Sequence, residues 1–453
     1  MSRIAKVILL SWIGCLAAVG QEDLEMGKPD LYGQEFQKRF IASYGVLAER
    51  EPELQDLEIS LLEKIGPMVE ENPEFAKSML EGMLGEETPA TATFNFILAN
   101  LYFNGEAYED SLAEYRRAIE KFPTFRRAWK NLGLLLVRQA EYDGGLNALV
   151  RCIELGDTSP DTYGSAAYCH LRAGNLMAAE LAYNAAIVLD PNNIEWIEGK
   201  AQAMISGKRY AEAEALLREL IKRDSTKDVY RRFLANVYVE LGEFIQAAEV
   251  FELIHALGNS TGETRLQLAN IYSLQGMYEL SVDTYLGAAS EQIEDQLQNV
   301  LRGVEYLIEQ DEVSQAERLF AKLGGMDNDW TTGEKTSFRM LESRFAAAAG
   351  DLVAEESKLK DALLIDPLNG KALVRLGSVY ADRGQNAKAM YYFERAYSSG
   401  TYEYDALILA SEMLIDSSRF SDALNLLKRA SILRPSEQIK SLMDRVRIAS
   451  GEE

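Results

Sequence analysis

The sequence predicts an all-α protein in which pairs of antiparallel helices stack side by side into a solenoid. Small residues recur every 34 residues through the middle of the chain, apolar residues follow them at helical spacing, and no stretch has the pattern of a β-strand. The chain has 453 residues, of which 47% are hydrophobic and 26% are charged. A chain of this kind buries a large core without a metal or a disulfide.

Three sets of residues repeat in phase. The first set is small and recurs at intervals of 34, at Ala99, Gly133, Ala167, Ala201, Ala235 and Ala269. The second set lies 12 places later and is again small, at Ser111, Gly145, Ala179, Ala213, Ala247 and Ser281. The third set lies 4 places further on and is large and apolar, at Tyr115, Leu149, Tyr183, Leu217, Phe251 and Tyr285. Because a helix pair cannot bury its apolar face alone, pairs with this pattern must stack on one another.

This period divides most of the chain into ten units, the seventh of which is degenerate. Units one to seven fill 92–329, at 92–125, 126–159, 160–193, 194–227, 228–261, 262–295 and 296–329. Residues 330–335 are predicted to form an insertion that breaks the phase. Units eight to ten follow at 336–369, 370–403 and 404–437. Residues 438–453 are predicted to form a capping helix and a tail, since a solenoid has to cover its last apolar edge.

The first 20 residues have the order of a secretory signal peptide. Arg3 and Lys6 form a positive start, an apolar run follows over 7–19, and small residues precede Gln21. We therefore expect an exported, periplasmic protein with no membrane span after cleavage. A retained signal and a lipid anchor on Cys15 are the alternatives. Residues 21–91 are predicted to be an N-terminal helical segment, of which 57–91 resembles a degenerate repeat.

Charge and composition exclude several classes of function. The chain carries 71 acidic and 47 basic residues, a net charge of −24, so it is repelled by the phosphates of nucleic acids. It has three cysteines and two histidines, too few for a cysteine-rich zinc site or most histidine chemistry. His170 and His255 are interpreted as core residues, and the acidic stretch 327–329 as a polar loop rather than a calcium site. No phosphate-binding loop or nucleophile elbow occurs, so we expect no catalysis and no cofactor.

The repeat resembles the tetratricopeptide repeat (TPR) family. The residues that carry the resemblance are Trp129, Leu132, Gly133, Ala179, Tyr183, Ala186 and Pro191. The resemblance implies a right-handed superhelix of antiparallel helix pairs. It also implies a concave groove, lined by the first helix of each unit, that binds protein or peptide segments.

Ten residues are predicted to face this groove: Asn100, Phe103, Asn104, Arg127, Lys130, Arg138, Tyr168, Arg172, Arg232 and Asn236. Arg127, Lys130, Arg138 and Arg172 are predicted to stand close together and to receive carboxylates of a partner. Ordinary surface charge is the alternative interpretation. The two-carboxylate clamp of TPR co-chaperones is broken in this sequence. Asn100 and Asn131 match two of its positions, and the other three hold Phe96, Asp161 and Ser165.

Cys152 and Cys169 are predicted to lie on helices that stack against each other. A disulfide between them is one interpretation for an oxidising compartment. Two buried free thiols are the alternative that we favour.

A closer resemblance covers residues 92–290 and is carried by the stretch 127–191. The matching segments are 128–135, 153–157, 162–164, 167–169 and 179–183. They are similar to exported bacterial TPR proteins described as components of TonB systems. The resemblance implies a periplasmic scaffold that works beside a TonB–ExbB–ExbD-type complex. A general cell-envelope adaptor, in outer-membrane assembly or peptidoglycan synthesis, is the alternative. Neither the partner nor the oligomeric state follows from the sequence.

Overall fold

The computed structural model describes residues 29, 50–53, 56–84, 92–288, 297–324 and 330–451. These residues form 23 α-helices and one short 3-10 helix, and none of them lies in a β-strand. The predicted all-α fold is confirmed. The predicted signal peptide, the acidic stretch 327–329 and most of 21–55 lie outside the described residues.

The chain divides into two compact units, Met1–Val250 and Phe251–Glu453, which we call the N-terminal and C-terminal units. The helices that lie wholly in the N-terminal unit are α1 (Asp56–Glu71), α2 (Pro73–Met83), α3 (Ala92–Asn104), α4 (Tyr108–Lys121), α5 (Arg126–Arg138), α6 (Tyr142–Glu154), α7 (Pro160–Arg172), α8 (Leu176–Leu189), α9 (Ile194–Ser206), α10 (Tyr210–Arg223) and α11 (Asp228–Leu241). The boundary between the units falls within α12 (Phe244–Ala256).

The described helices of the C-terminal unit follow the same alternation. They are α13 (Gly262–Leu274), α14 (Tyr278–Ala288), α15 (Leu297–Glu309), α16 (Val313–Leu323), α17 (Thr332–Ala348), α18 (Leu352–Ile365), α19 (Gly370–Asp382), α20 (Asn386–Ala396), α21 (Glu403–Asp416), α22 (Phe420–Leu433) and α23 (Glu437–Ser450). From α3 to α22, odd-numbered helices are the first helices of the repeats and even-numbered helices are the second. Within each unit, most helices pack mainly against their neighbours in the chain.

The small residues of the period lie where two helices touch. Ala99, Ala167 and Ala213 have no exposed surface, and large members of the third set, such as Tyr183, are also fully buried. At Gly133 on α5, a Cβ atom would stand 2.7 Å from Cγ of Leu149 on α6. Because interiors pack to crystal density, a larger side chain would force these helices apart. Close packing therefore explains the period of 34.

A second periodic feature is the turn between the two helices of a repeat. One residue of every described turn has a positive φ, at Glu106, Ala140, Gly174, Lys208, Gly242, Gly276, Asp311, Gly350, Gly384 and Ser418. Around Ala140 (φ 61°), the following amide of Glu141 donates to the carbonyl of Leu136 at 2.9 Å. The left-handed conformation is therefore set by the hydrogen bonds of the turn, whether or not the residue is glycine.

The predicted insertion at 330–335 is mostly helical. Thr331 caps α17 and forms a capping box with Glu334, so residues from Thr332 onward are helical. Helix α17 has 17 residues instead of the 13 of α19, and buried Trp330 packs on Phe338 with ring centroids 5.0 Å apart. The phase breaks because a first helix is longer by about one turn.

Candidate protein-binding site

The structure does not gather the four predicted cations into one cluster. Arg127 and Lys130 lie in the first turns of α5, whereas Arg138 is its last residue and Arg172 is the last residue of α7. At a rise of 1.5 Å per residue, Arg127 and Arg138 are about 16 Å apart along the helix. The sequence-based prediction treated cations at opposite ends of one helix as a single patch.

Arg127 is bound by the chain itself. Its Nε donates to Oε2 of Glu51 at 2.7 Å, and Glu51 is only 2% exposed. The guanidinium also lies over the rings of Phe96 and Phe125, at 5.4 and 5.8 Å from their centroids. The backbone amide of Arg126 donates to the carbonyl of residue 50 at 3.2 Å. A non-helical segment of the same chain thus already supplies the carboxylate that was expected from a partner.

Other predicted residues of the N-terminal unit mainly hold its helices together. Nδ2 of Asn131 donates to Oδ1 of Asn100 at 3.1 Å, so the two asparagines shared with the chaperone clamp bind each other. Nζ of Lys130 donates to the hydroxyl of Ser159 at 2.8 Å. These contacts connect each first helix to the next one, since Ser159 is the N-cap of α7, rather than leaving the side chains for a partner.

The predicted aromatic anchors are buried. Phe103 is 2% exposed and Tyr168 is 3% exposed, so neither can insert into a partner. The guanidinium of Arg138 covers Phe103 at 5.3 Å from its centroid, and that of Arg172 lies 5.5 Å from the centroid of Tyr142. Asn104 is exposed, while Arg232 and Asn236 are half-buried on α11.

The C-terminal unit contains a cavity that the sequence interpretation missed. It has a volume of about 660 Å³ and is lined by the first helices α15, α17, α19 and α21, together with α18 and Tyr402. Its walls are largely apolar, with Ile308, Met340, Val374 and Leu409 among them. A smaller space of about 300 Å³ shares Met340 and Tyr402 with it. We call the larger space the C-terminal cavity.

Three cations and two acids line the C-terminal cavity: Arg344, Lys371, Arg375, Glu355 and Asp405. Glu305 of α15 accepts from Nη1 of Arg344 at 2.8 Å and also binds Lys371. Burial works against ionisation of Glu305, but the two cations outweigh it and hold its pKa below the usual value. This carboxylate therefore ties α15 to both α17 and α19 on one side of the cavity.

Glu355 and Arg375 form the most deeply anchored pair of the cavity. Nε of Arg375 donates to Oε1 of Glu355 at 2.6 Å. The side chain of Glu355 is 1% exposed, whereas that of Arg375 is 47% exposed. Oε2 of Glu355 has no hydrogen-bond partner among the described residues. The guanidinium is therefore held from behind by a buried carboxylate.

A sequence signal for this pair did exist. Glu355 lies one 34-residue period before Ala389, which makes it the second small position of its repeat. Serine, glycine or alanine fills that position in the units where the period is clearest. Burial of an unpaired carboxylate is costly, so an acid at that position predicts a buried cationic partner.

Groups that could support other chemistry are sparse in the described residues. Cys152 and Cys169 are buried free thiols, as favoured from the sequence, and burial raises the pKa of Cys169 to about 12. His170 is half-buried with a pKa lowered by burial. His255 is exposed on α12, so its predicted core position is wrong. Within the described ranges, no group of three or more histidine, cysteine or acidic side chains is arranged to hold a metal ion.

Comparison with known families decides what the helix pairs are. A tetratricopeptide repeat model matches residues 96–160, 130–194 and 165–228, and another model with the same description matches 370–399. The first three matches lie in the N-terminal unit and the last lies in the C-terminal unit. The chain contains tetratricopeptide repeats. Among the helices that the structure describes, none is long and apolar enough to cross a bilayer.

Of three similar proteins, two are described as TPR proteins. The TPR-containing protein trd-1 of Caenorhabditis elegans is 25% identical over 171 residues, which are 37% of this chain and 22% of the relative's length. The structure of a TPR protein from Parabacteroides merdae is 17% identical and covers 51% of this chain and 92% of its own, with a TM-score of 0.37. Yeast Tom70 is 14% identical over 80% of this chain and 89% of its own, with a TM-score of 0.39.

Proposed function

We propose that the chain is a non-enzymatic TPR scaffold that binds a segment of a partner protein in the C-terminal cavity. The observation that carries this proposal is the cavity itself, an open space with largely apolar walls built from successive first helices. Concave apolar surface with a few placed polar groups is typical of binding sites. First helices supply the binding surface in the family that the repeats resemble.

We further propose that the protein is exported to the periplasm. The support is the charged, apolar and small-residue order of residues 1–20. Mass spectrometry of the protein purified from its own host tests this: a mature chain that starts at Gln21 is expected. A major species that retains Met1 would contradict it, and a lipid on Cys15 would establish the anchored form.

The partner that we propose is a component of a TonB–ExbB–ExbD-type complex. The support is the resemblance of the stretch 127–191 to exported TPR proteins described as components of such systems. A general envelope adaptor remains the competing outcome of the experiment below.

Site-specific photo-crosslinking tests the proposal. p-Benzoylphenylalanine replaces Tyr402, which lines the C-terminal cavity, or Tyr391, which is 56% exposed on the second helix α20. Both sites are tyrosines, so each change keeps an aromatic ring. We expect an adduct with a subunit of the TonB–ExbB–ExbD-type complex from position 402 and none from position 391. An adduct with an outer-membrane assembly or peptidoglycan protein would establish the adaptor instead. Equal adducts from both positions would contradict binding in the cavity.

A further inference from the structure

We propose that Arg375 recognises a single carboxylate on the segment that occupies the C-terminal cavity. The ligand would be a peptide with one Asp or Glu side chain beside apolar residues. This inference rests on the proposed function and adds the chemistry of the ligand. The observation that supports it is the Glu355–Arg375 pair, which the repeat pattern does not require.

The pair orients the guanidinium but leaves some of its N–H donors without a partner in the described parts of the chain. Nε of Arg375 is committed to buried Glu355 at 2.6 Å, while the side chain remains 47% exposed at the cavity wall. Within the part of the chain that the structure describes, Nη1 and Nη2 of Arg375 have no hydrogen-bond partner. A guanidinium donates two parallel bonds to a carboxylate, and an arginine already fixed by one bond loses less conformational entropy on binding.

The surroundings favour one anion rather than a run of acids. Arg344 and Lys371 also line the cavity, and Glu305 and Glu309 compensate them on the α15 side. Asp405 is exposed on α21 at the same cavity and would repel a second acidic group placed beside it. The apolar walls then take the neighbouring side chains of the ligand.

The N-terminal unit shows that a first-helix cation of this protein binds a carboxylate from a non-helical segment. Nε of Arg127 holds the carboxylate of Glu51 at 2.7 Å. Arg127 lies six residues before Gly133, and Lys371 lies six residues before Gly377. The cation that corresponds to Arg127 in the C-terminal unit therefore lines the proposed site.

Peptide selection on the purified full chain tests the proposal. Random 12-residue peptides displayed on phage are selected, and the best binder is synthesised with a fluorescent label, both as selected and with its acid replaced by the amide. We expect peptides with one carboxylate among apolar residues. Arg375→Lys keeps a charge over Glu355 but loses the planar fork, and should weaken binding of the acidic peptide about 5- to 20-fold. The amide peptide should bind the parent more weakly by a similar factor and should lose nothing further on Arg375→Lys.

Two controls separate recognition from folding. Arg318 is also 47% exposed, but it lies on a second helix and binds Asp283 of another second helix. Arg318→Lys should therefore leave affinity unchanged. Glu355→Ala restores the small residue of the other repeats and frees Arg375. It should weaken binding of the acidic peptide about 3-fold and leave the amide peptide unaffected, because Glu355 acts as a positioning residue.

The outcomes distinguish this inference from the function on which it rests. Ala347→Trp fills the cavity and should abolish binding. Peptides that lose binding with Ala347→Trp but ignore both their carboxylate and Arg375→Lys would overturn the inference and leave the binding site standing. An empty selection, or peptides that still bind Ala347→Trp, would overturn both. Self-association of the chain that Arg375→Lys abolishes would put a second copy in the cavity and also overturn the inference.

Discussion

Arg127 in the N-terminal unit and Lys371 in the C-terminal unit occupy the same position of the 34-residue period, yet each is neutralised differently. The carboxylate for Arg127 comes from Glu51, which lies outside the regular repeats. The carboxylate for Lys371 comes from Glu305, on the first helix of an earlier repeat. In the N-terminal unit, a segment of the chain thus takes up the first-helix cation. In the C-terminal unit, an acid of one repeat neutralises the cation of another, and a cavity is left open.

A second pair of equivalent sites, at two acids, differs by one contact. Glu214 accepts from Nε of Arg218 at 2.8 Å and from the hydroxyl of Tyr238 at 2.9 Å. In the C-terminal unit, Glu356 accepts from Nζ of Lys360 at 2.7 Å and from the hydroxyl of Tyr380 at 2.6 Å. Glu356 also binds Arg383. The same acid–cation–tyrosine arrangement therefore occurs in both units, with one further cation in the second.

The largest expected effect concerns the close packing that the two units share. Ala213→Leu and Ala389→Leu place three extra carbon atoms where no surface is exposed, and each should lower the free energy of unfolding by about 1–3 kcal/mol or more. Ala215 lies on the same helix as Ala213 but is exposed, so Ala215→Leu should stay within about 0.5 kcal/mol. Urea denaturation followed by circular dichroism gives all three values. Equal denaturation midpoints for Ala213→Leu and Ala215→Leu would contradict close packing at the small positions of the repeat.

The next effect is a pH dependence that belongs mainly to the C-terminal unit. Hydrogen bonds from Lys360 and Tyr380, helped by Arg383, lower the pKa of Glu356 from 4.5 to about 2. A depressed carboxyl pKa stabilises the fold above pH 4.5, and this contribution disappears as the pH falls from 4.5 to 2. Glu356→Gln should remove about 1–3 kcal/mol of stability at pH 7 and flatten the loss in that range. Glu394→Gln, an exposed control on α20, should leave the profile unchanged. A parent-like profile for Glu356→Gln would contradict the assignment.

A smaller and local effect is expected at the segment that binds Arg127. Arg127→Gln removes the cation opposite Glu51, so residues 50–53 should detach more often without lowering global stability. Trypsin should then cut after residue 50 about tenfold faster, as expected for the loss of one charge-assisted hydrogen bond. Lys130→Gln on the same helix serves as the control. An unchanged cutting rate would show that Glu51 does not secure the segment.

The smallest effect should be the same in both units. Ala140 and Ser418 adopt positive φ at the turn between paired helices, where five of the other repeats have glycine. Ala140→Gly and Ser418→Gly should each raise stability by about 0.5–1 kcal/mol, because the strain of the side chain exceeds the entropy cost of glycine. Thermal melts measure this. A lower melting temperature for both variants would mean that the turns do not hold these residues in the left-handed conformation.

The periodic part of the fold could be predicted from the sequence because it depends on contacts between adjacent helices. Ala99, Gly133 and Tyr183 mark such contacts, and the structure buries all three. The longer helix α17 could not be predicted in the same way, since the capping box at Thr331 begins it before the expected position.

The site depends on contacts that no period encodes. Arg127 and Glu51 are 76 residues apart, so spacing within the repeats could not show that the arginine was already bound. Arg138 was predicted beside Arg127 because both carry charge on one helix, whereas helix length separates them. Glu355 broke the small-residue rule visibly, and its significance depended on knowing that a buried acid needs a cation beside it.

Hydrogen–deuterium exchange of the full chain, with and without a saturating selected peptide, tests the central claim most directly. The claim is that the first helices of the C-terminal unit are open for a partner, while Arg127 of the N-terminal unit is already occupied by Glu51. The predicted result is slower exchange at the cavity-lining parts of α17, α19 and α21, with no change in α5 or α7. Protection confined to α5 and α7, with α19 unchanged, would contradict the account.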